Sequence, residues 1–413
     1  MSAAGTNWAG TYSYRAQVLH RPETLEQLQE IVARAAGVRV LGSRHSFSDM
    51  ADSDELVSLD GLPTDVAVAH AAGTVSCGAA VRYGELAEAL HAEGVALHNL
   101  ASLPHISVAG AVATATHGSG DASGNLATAV AGLELVTSDG EIVTAARGDE
   151  DFDGIVVGLG ALGAVTRITL DVEPAYEIAQ RVYEGLAWDA LFEHFDEIAA
   201  CGDSVSVFTL WDEIAGSVWV KARTDSPRDE LFGALPADGE RHPIPGLDPV
   251  HCTRQQGIPG RWCDRLPHFQ MGFTPSVGQE IQSEYLMPRE HAVAAIEAVR
   301  GLGDALRPAL QVCEIRTVAA DRLWLSPQHG QDTVGFHFTW RREPELVGRL
   351  VAALEVALAP FAPRPHWGKR FLAGAATIAD RYERLPDFAR LAERLDPRGA
   401  FRNDWLERHV LGE

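Results

Sequence analysis

Residues 106–118 of this chain (ISVAGAVATATHG) carry almost only small side chains. A run of this kind constrains the fold, because its backbone can approach a neighbouring surface more closely than a run with large side chains can. Two structures use that property: an Ala/Gly-rich helix pressed against a sheet, and a segment packed flat against a planar ligand. The residues alone favour neither structure over the other, so both stay open at this point.

The length of 413 residues exceeds what one domain core usually serves, and we expect two domains. Hydrophobic residues make up 46% of the chain and charged residues 22%, which is ordinary for a soluble globular enzyme. The 39 glycines are somewhat above average usage and cluster between Gly73 and Gly163. In this half we therefore expect many tight turns, or backbone that approaches something closely.

The charge balance narrows the range of partners. Lys and Arg total 34 against 57 Asp and Glu, which gives a formal net charge of −23. This excess repels nucleic-acid phosphates and anionic membrane surfaces, and no basic stripe overrides it. We expect neither nucleic acid nor membrane as a partner, whereas a neutral substrate and one anionic cofactor held by local Arg or Lys are compatible.

Several features predict a cytoplasmic protein without a metal. No run of about 18 apolar residues could span a bilayer, and residues 1–15 show no signal peptide. The five cysteines are scattered, odd in number and in no CxxC pair, which argues against a disulfide scaffold and a zinc site.

The first half of the chain alternates strands and helices. The predicted elements, in chain order, are a helix over 23–35, strands over 38–41 and 74–77, a helix over 84–93, a hairpin of 130–136 with 141–145, and a strand over 164–172. From about Tyr176 aromatic residues become more frequent and glycine rarer. There we predict long loops over 225–278, a helix over 290–300, and a helix over 346–358 that Pro360 stops.

The segment from Gly158 to Gly163 (GLGALG) matches the Gly-x-Gly-x-x-Gly pattern of dinucleotide-binding loops. That pattern requires a strand before it and a helix after it, so that the helix N-terminus meets the pyrophosphate. The residues over 164–172 are β-branched and alternating, which predicts a strand instead. We expect no Rossmann site here.

A tight polar loop over 42–48 (GSRHSFS) follows the apolar strand over 38–41. Backbone N–H groups and hydroxyls at a strand end suit a diphosphate, and His45 would stand beside whatever binds there. On its own, however, His45 is more simply interpreted as a solvated loop histidine.

Two apolar strands in the second half carry polar groups. Because alternate residues of a strand share a face, Glu314 and Arg316 lie on one face of the first strand, and His337 and Thr339 on one face of the second. Charged groups inside apolar strands are costly to bury unless they are paired or used. This favours a polar pocket wall over a structural Glu–Arg pair on a half-exposed sheet.

These segments, together with the turn over 363–369 that ends in Lys369, resemble the alditol (xylitol) oxidase family of the vanillyl-alcohol oxidase flavoprotein superfamily. The motifs are GSRHS from Gly42, SLPHISVAG from Ser102, EIR from Glu314 and HWGK from His366. The last motif also occurs in related aldonolactone oxidases, so Glu-x-Arg with the following His-x-Thr is more specific. The resemblance extends over essentially the whole chain.

The resemblance implies an α+β, two-domain FAD-binding fold of the vanillyl-alcohol oxidase type. Residues 1–175, with a C-terminal return over 371–413, would form the FAD domain, and residues 176–370 a cap or substrate domain. FAD would be attached covalently to His45 through an 8α-N-histidyl bond, and by that anchor alone, since no cysteine lies in 99–110. The residues expected to contact FAD are Gly42, Ser43, Arg44, His45, Ser46, Phe47, Ala101, Ser102, Ser107, Gly110, Thr114, His117, Gly118, Ser119, Gly160 and Gly163.

The implied reaction oxidises the terminal primary hydroxyl of an alditol of the xylitol or sorbitol type to the aldose and reduces O2 to H2O2. Arg316 and Lys369 would stabilise charge on the alcohol oxygen, and His337 or Lys369 would take its proton. The residues implied in catalysis are Lys369, His337, Arg316 and Glu314; those implied in binding substrate hydroxyls are Ser102, Glu314, Arg316, Thr339 and Lys369. The protein is expected to act as a monomer.

Other functions remain as alternatives. An aldonolactone oxidase or dehydrogenase of the same superfamily would share the flavin machinery but bind a ring substrate. A non-catalytic carbohydrate-binding scaffold that has lost its flavin is more remote. A Ser-His hydrolase is disfavoured, because the chain has no Gly-x-Ser-x-Gly motif.

Overall fold

The computed structural model describes residues 5–224, 226–272 and 280–412. The strands are β1 (Val18–His20), β2 (Val38–Val40), β3 (Glu55–Val57), β4 (Val66–Ala69), β5 (Thr74–Gly78), β6 (Val95–Ala96), β7 (Val130–Val136), β8 (Ile142–Ala146), β9 (Ala164–Asp171), β10 (Glu173–Pro174), β11 (Glu177–Leu186), β12 (Ser204–Thr209), β13 (Gly216–Ala222), β14 (Leu235–Pro236), β15 (Gly260–Arg261), β16 (Glu280–Pro288), β17 (Leu310–Val318), β18 (Thr333–Arg341) and β19 (Arg364–Pro365). The helices are α1 (Leu25–Arg34), α2 (Tyr83–Ala92), α3 (Val108–Ala113), α4 (Phe152–Val156), α5 (Trp188–Glu193), α6 (Phe195–Ala199), α7 (Ala292–Arg300), α8 (Gly303–Leu306), α9 (Pro344–Leu358), α10 (Ala375–Ala379), α11 (Leu385–Leu395) and α12 (Asp404–Leu406).

The first three strands of the chain form a parallel sheet in the order β1-β3-β2. Helix α1 buries its apolar face against this sheet. It begins after Thr24, whose hydroxyl accepts the N–H of Gln27, so the helix is slightly shorter than the predicted 23–35. The C-terminal part of the chain returns to the same sheet, where the Val38 N–H donates to the Ala400 carbonyl at 2.7 Å.

An antiparallel sheet in the order β4-β5-β9-β7-β8 lies beside it in the first half. The predicted hairpin is confirmed as β7 with β8, and the predicted strand over 164–172 as β9. Helix α4 lies before Gly158, and β9 follows Gly163 directly. The Gly-x-Gly-x-x-Gly segment therefore lacks the strand–turn–helix context of a Rossmann site, as predicted.

The small-residue stretch forms helix α3 and the turns around it. Val108 and Val112 on one side of this helix are buried in the hydrophobic core. Gly110 and Thr114, on another side, line a large cavity. The helix predicted as one alternative is therefore present, and the same segment also forms a wall of the cavity; its contact with a planar ligand stays a prediction.

The second half of the chain forms a large sheet in the order β14-β11-β13-β12-β17-β18-β16-β19, with β15 beside β11. Strands β17 and β18 are antiparallel, and Glu314 lies directly opposite His337. Directly opposed residues project from the same face, so Glu314, Arg316, His337 and Thr339 share one face, as predicted. The aromatic side chains on the other face of β18 are buried in the core that also contains α7 and α9.

The predicted helices over 290–300 and 346–358 are confirmed as α7 and α9. The predicted loop region over 225–278 contains short elements such as β14 and β15, and its residues 225 and 273–278 lie outside the described residues. In the described ranges, no helix combines the length and the apolar character needed to cross a membrane. The large sheet takes its strands from residues 177–365. The predicted domain limits stay a prediction.

Candidate active site

A cavity of about 420 Å³ lies between the loops of the first half and the polar face of the large sheet. This volume is in the range of small-molecule and cofactor sites. Of the residues predicted for the site, those that line the cavity are Gly42, Ser43, Arg44, His45, Ser46, Phe47, Ala101, Ser102, Ser107, Gly110, Thr114, His117, Gly160, Glu314, Arg316, His337, Thr339 and Lys369. Their roles stay predictions, but the structure brings residues from both ends of the chain to one space.

Three of the predicted cofactor residues, Gly118, Ser119 and Gly163, are described by the structure but lie outside this lining. Each makes a close contact with a neighbouring segment. A Cβ on Gly118 would lie 2.5 Å from the Leu100 carbonyl, and one on Gly163 would lie 2.6 Å from the Val136 carbonyl. The Ser119 hydroxyl donates to a carbonyl of β12. Contact of these three residues with FAD stays a prediction.

His45 lies at the cavity in a loop whose preceding residue, Arg44, has a left-handed backbone (φ 63°). Its ring stacks on Trp8 with 5.0 Å between centroids. Neither ring nitrogen of His45 has a hydrogen-bond partner among the described residues. Burial, helped by the charge of Lys369, lowers the pKa of His45 to about 3. The imidazole is therefore neutral and keeps a nitrogen lone pair available to a bound group.

Lys369 reaches the cavity from the turn after β19. The turn is tied to the His45 loop, because the Phe47 N–H donates to the Gly368 carbonyl at 2.9 Å. The Lys369 ammonium donates to the Gln282 side chain and lies 5.3 Å from the centroid of the Phe47 ring. Burial lowers the pKa of Lys369 to about 8. The imidazole and the ammonium thus lie on the same side of the molecule, at one cavity.

Glu314 and Arg316 present their charges to the cavity from β17. Glu314 accepts the Ser206 hydroxyl at 2.7 Å and lies 3.5 Å from the Arg316 guanidinium. Burial opposes ionisation of Glu314, but Arg316, His268 and His337 together outweigh it and hold the pKa of this carboxyl below its ordinary value. The pocket wall therefore carries an ionised carboxylate beside a cation.

Glu284 on β16 is a buried carboxylate at this site that we did not predict. Its oxygens lie 2.9 Å from Arg316 Nη2, 3.0 Å from His337 Nδ1 and 3.2 Å from His117 Nε2. Burial opposes its ionisation, but Arg316 and the two histidines together hold the pKa of Glu284 well below its ordinary value. Glu284 thus orients two of the predicted catalytic side chains.

The carboxylate of Glu284 also lies, with His117 and His366, in a group close enough to bind a metal ion. The guanidinium of Arg316 already pairs with this carboxylate, so its charge is compensated without a metal. The absence of a metal stays a prediction.

A pattern in the sequence could have predicted this carboxylate: polar side chains alternate along one strand at Glu280, Gln282 and Glu284. We did not predict Glu284 because β16 follows directly on the predicted loop region. In addition, the position of Glu284 at the site depends on the pairing of β16 with β18. Gln282, the partner of Lys369, was missed for the same reason.

Arg39 on β2 is another buried charge at the cavity that we did not single out. Its guanidinium donates to carbonyl oxygens of three chain segments, namely those of Leu159 and Gly160, of Met50, and of Phe401. Leu159 and Gly160 both have left-handed backbones (φ 51° and 68°). Arg39 therefore holds this turn at the cavity edge and joins it to the C-terminal return.

The site fits FAD on observations of this structure. The cavity has cofactor size, and the two buried ring nitrogens of His45 beside it have no hydrogen-bond partner among the described residues. Gly42 and Gly110 both approach Ser107 so closely that a Cβ on either would lie 2.8 Å from the Ser107 hydroxyl oxygen. The wall between them is thus made of backbone and one hydroxyl, which suits close contact with a large flat ligand.

Comparison with known proteins agrees with this geometry. The family described as FAD binding domain matches residues 16–146, and the family described as D-arabinono-1,4-lactone oxidase matches residues 273–409. An alditol oxidase from Streptomyces sp. is 51% identical to this chain, over 98% of the chain and 99% of the relative. An L-gulono-1,4-lactone dehydrogenase from Mycobacterium tuberculosis is 29% identical over the full length of both proteins.

The solved structures of cholesterol oxidase from Brevibacterium sterolicum and of a histidine-to-alanine variant superimpose on the chain with TM-scores of 0.75 and 0.78. Each covers 98% of this chain and 96% of its own at 14% identity, so this likeness concerns the fold alone. Together with the match to the FAD binding domain family, it confirms the predicted α+β FAD-binding fold of the vanillyl-alcohol oxidase type. The chain belongs to the alditol oxidase family of the vanillyl-alcohol oxidase flavoprotein superfamily and is an FAD-dependent oxidoreductase.

Proposed function

We propose that the protein oxidises the terminal primary hydroxyl of alditols of the xylitol or sorbitol type to the aldose and reduces O2 to H2O2. The observation that carries this proposal is the single cavity shared by His45, Lys369 and the polar face of Glu314, Arg316, His337 and Thr339. The 51% identity to an alditol oxidase supports it. Bound FAD supplies the hydride acceptor and passes the electrons to oxygen.

The residues that would hold FAD are the lining residues of 42–47, 101–117 and Gly160, with Gly118, Ser119 and Gly163 behind them. We propose that His45 forms the 8α-N-histidyl bond. Its support is that the ring is neutral and that its two buried nitrogens have no hydrogen-bond partner among the described residues. An imidazole in that state can form a covalent bond without first breaking a hydrogen bond or losing a proton.

His337 is the proposed acceptor of the substrate hydroxyl proton. Its Nδ1 lies 3.0 Å from a carboxylate oxygen of Glu284, which can only accept a hydrogen bond when ionised. The donor Arg316 Nη2 lies farther from Nδ1, at 3.4 Å, so we assign the proton of neutral His337 to Nδ1, which leaves Nε2 with a lone pair. Burial also lowers the pKa of His337, which keeps the ring neutral and able to act as a base.

Lys369 and Arg316 would stabilise the negative charge that develops on the alcohol oxygen as this proton leaves. Ser102, Glu314 and Thr339, with these two cations, would bind the other hydroxyls of an open-chain polyol. A site that pairs each hydroxyl discriminates strongly against analogues that lack one, because its polar groups would be left without partners.

Oxidation of an aldonolactone is the second candidate. The match of residues 273–409 to a D-arabinono-1,4-lactone oxidase family and the 29% identity to a lactone dehydrogenase favour it. A panel of alditols and aldonolactones, assayed for peroxide and for dye reduction, separates the two functions. Turnover of alditols with stoichiometric peroxide supports the proposal, and turnover of lactones alone would replace it with the second candidate.

We further propose that residues 1–175 and 371–413 form the FAD domain, and residues 176–370 the cap domain. We also propose that the protein is a cytoplasmic monomer. Its formal charge of −23 supports solubility as a separate molecule. Light scattering of the purified holoenzyme measures the mass directly.

A further inference from the structure

Lys221 on β13 is a lysine in the interior of the protein, with only 2% of its surface exposed. Its amine donates to the Leu266 carbonyl and lies 3.2 Å from His268 Nδ1. Burial lowers the pKa of Lys221 to about 7. An amine has N–H donors in both protonation states, so these two contacts persist whether or not Lys221 carries a charge. A buried lysine is costly to keep, and this one lies beside the substrate wall without touching the cavity.

His268 connects Lys221 to the cavity. Burial and the charge of Lys221 lower the pKa of His268 to about 4, so the ring is neutral and has one N–H. His268 Nε2 lies 3.1 Å from Glu314 Oε1, and an ionised carboxylate can only accept, so the proton lies on Nε2 and is donated to Glu314. Nδ1 then accepts from the Lys221 amine. The lysine therefore supports the tautomer through which the histidine holds the carboxylate.

Glu314 is thereby held from several sides. Its Oε1 accepts from His268 and from the Ser206 hydroxyl, and its Oε2 faces Arg316. With donors on both oxygens the carboxylate is ionised, and its remaining lone pairs can accept hydrogen bonds from a ligand hydroxyl.

The same histidine is also connected to the opposite wall of the cavity. The backbone N–H of His268 donates to the Ser102 carbonyl at 3.1 Å. Ser102 and Glu314 belong to segments far apart in the chain, and His268 contacts both. One residue thus sets the spacing between two side chains that face the same ligand space.

We propose that Lys221 and His268 are positioning residues that hold Glu314 as a fixed acceptor for a hydroxyl of the polyol remote from the reacting carbon, and so help to determine specificity for open-chain polyols. The proposal rests on the proposed alditol oxidation. Neither residue reacts with the substrate; each acts through Glu314. Loss of this positioning should weaken substrate binding more than it slows the chemical step.

The test uses flavin-loaded full-length variants and steady-state kinetics with xylitol and sorbitol. Lys221→Met removes the amine, and His268→Leu removes the donor to Glu314. Each should raise KM about tenfold and change kcat by no more than about twofold, the pattern for loss of binding that is equal in the ground and transition states. His268→Gln can still accept from Lys221 and donate to Glu314, so it should restore most of the wild-type KM.

Double variants in the Glu314→Gln background test whether the effect passes through Glu314. There, Lys221→Met should produce little further change in KM, because coupled residues are non-additive. Arg223→Met is the matched control: it removes another cation of the same chain segment, which pairs with Glu173 at the surface, and should leave KM unchanged.

Several results would overturn the proposal. The first is an unchanged KM in folded, flavin-loaded Lys221→Met and His268→Leu. The second is an equal rise in KM for His268→Gln and His268→Leu. The third is full additivity of the changes in KM when Lys221→Met is combined with Glu314→Gln. If Lys221→Met does not fold, the pair His268→Gln and His268→Leu decides alone. A wild-type protein that oxidises no alditol refutes the proposed function instead, so the two failures are distinct.

Discussion

At the scale of single residues, His45 is the side chain that we propose to carry the covalent bond to FAD. Acid-precipitated wild-type protein should stay yellow, and His45→Ala should release its flavin colour to the supernatant. His70→Ala is a suitable control, because this exposed histidine (58% of its side chain) lies outside the cavity lining. A colourless wild-type pellet would remove the covalent bond from the proposal.

Lys369 gives a pH dependence with a definite sign. Its pKa is lowered to about 8, so the ammonium is present below this pH and is lost as the pH rises through it. If the charge stabilises the alcohol oxygen, kcat/KM should decrease above about pH 8. Lys369→Arg should move this alkaline limb to higher pH, because a guanidinium stays charged throughout.

The control for this prediction is Lys369→Ala, which should depress turnover while flavin stays bound. Flavin absorbance measured beside the rate separates loss of cofactor from loss of catalysis. Unchanged kinetics in Lys369→Ala, or the same alkaline limb in Lys369→Arg, would take Lys369 out of the mechanism.

Glu284 should matter for rate although it was not predicted from the sequence. Glu284→Gln keeps the size of the side chain but removes the charge that compensates Arg316 and fixes the His337 tautomer. We expect kcat to decrease at least about tenfold with flavin retained. Glu55→Gln, at a partly exposed glutamate paired with His20, is the matched control. Equal kcat in both variants would contradict the role of Glu284.

At the scale of secondary-structure elements, the close packing of Gly163 on β7 explains why the Gly-x-Gly-x-x-Gly segment ends in glycine. Gly163→Ala combines an unfavourable backbone (φ 144°) with a Cβ placed 2.6 Å from the Val136 carbonyl. We expect it to lower the free energy of unfolding by more than about 2 kcal/mol.

Gly148→Ala separates the two causes. Gly148 also has a positive φ (109°), but a Cβ there meets nothing within 4 Å. Gly148→Ala should lower the free energy of unfolding by about 1–2 kcal/mol, from the unfavourable backbone conformation alone. Denaturant unfolding of both variants measures the difference, and equal destabilisation would show that the contact with β7 contributes nothing.

The features of the fold and the site that could be predicted from the sequence are those that local residue patterns determine. The period-two alternation of β17 and β18 placed Glu314 with Arg316 and His337 with Thr339, and the β-branched run after Gly163 identified β9. Glu284, Lys221 and His268 were missed because their positions depend on which strands pair and where a long loop returns. Such pairings join residues far apart in the chain and leave no local signal.

At the scale of the whole molecule, Arg39 joins three segments that lie far apart in sequence. Arg39→Met would remove the donor to four carbonyl oxygens in the protein interior, those of Leu159, Gly160, Met50 and Phe401. We expect a loss of stability of about 3 kcal/mol or more, together with reduced flavin content. Arg21→Met removes an exposed arginine 3.9 Å from Asp60 and should be nearly neutral.

Thermal unfolding followed by circular dichroism, and flavin content after purification, measure both effects of Arg39→Met. A variant that unfolds at the wild-type temperature would show that other contacts hold the C-terminal return to the sheet.

The hydrogen bond from Phe47 to Gly368 has a consequence for biogenesis. A ribosome makes the His45 loop before the Lys369 turn, so a nascent chain cannot enclose the cavity until this turn has been made. Capture of FAD should therefore follow synthesis of the turn, and chains truncated before it should accumulate as colourless protein.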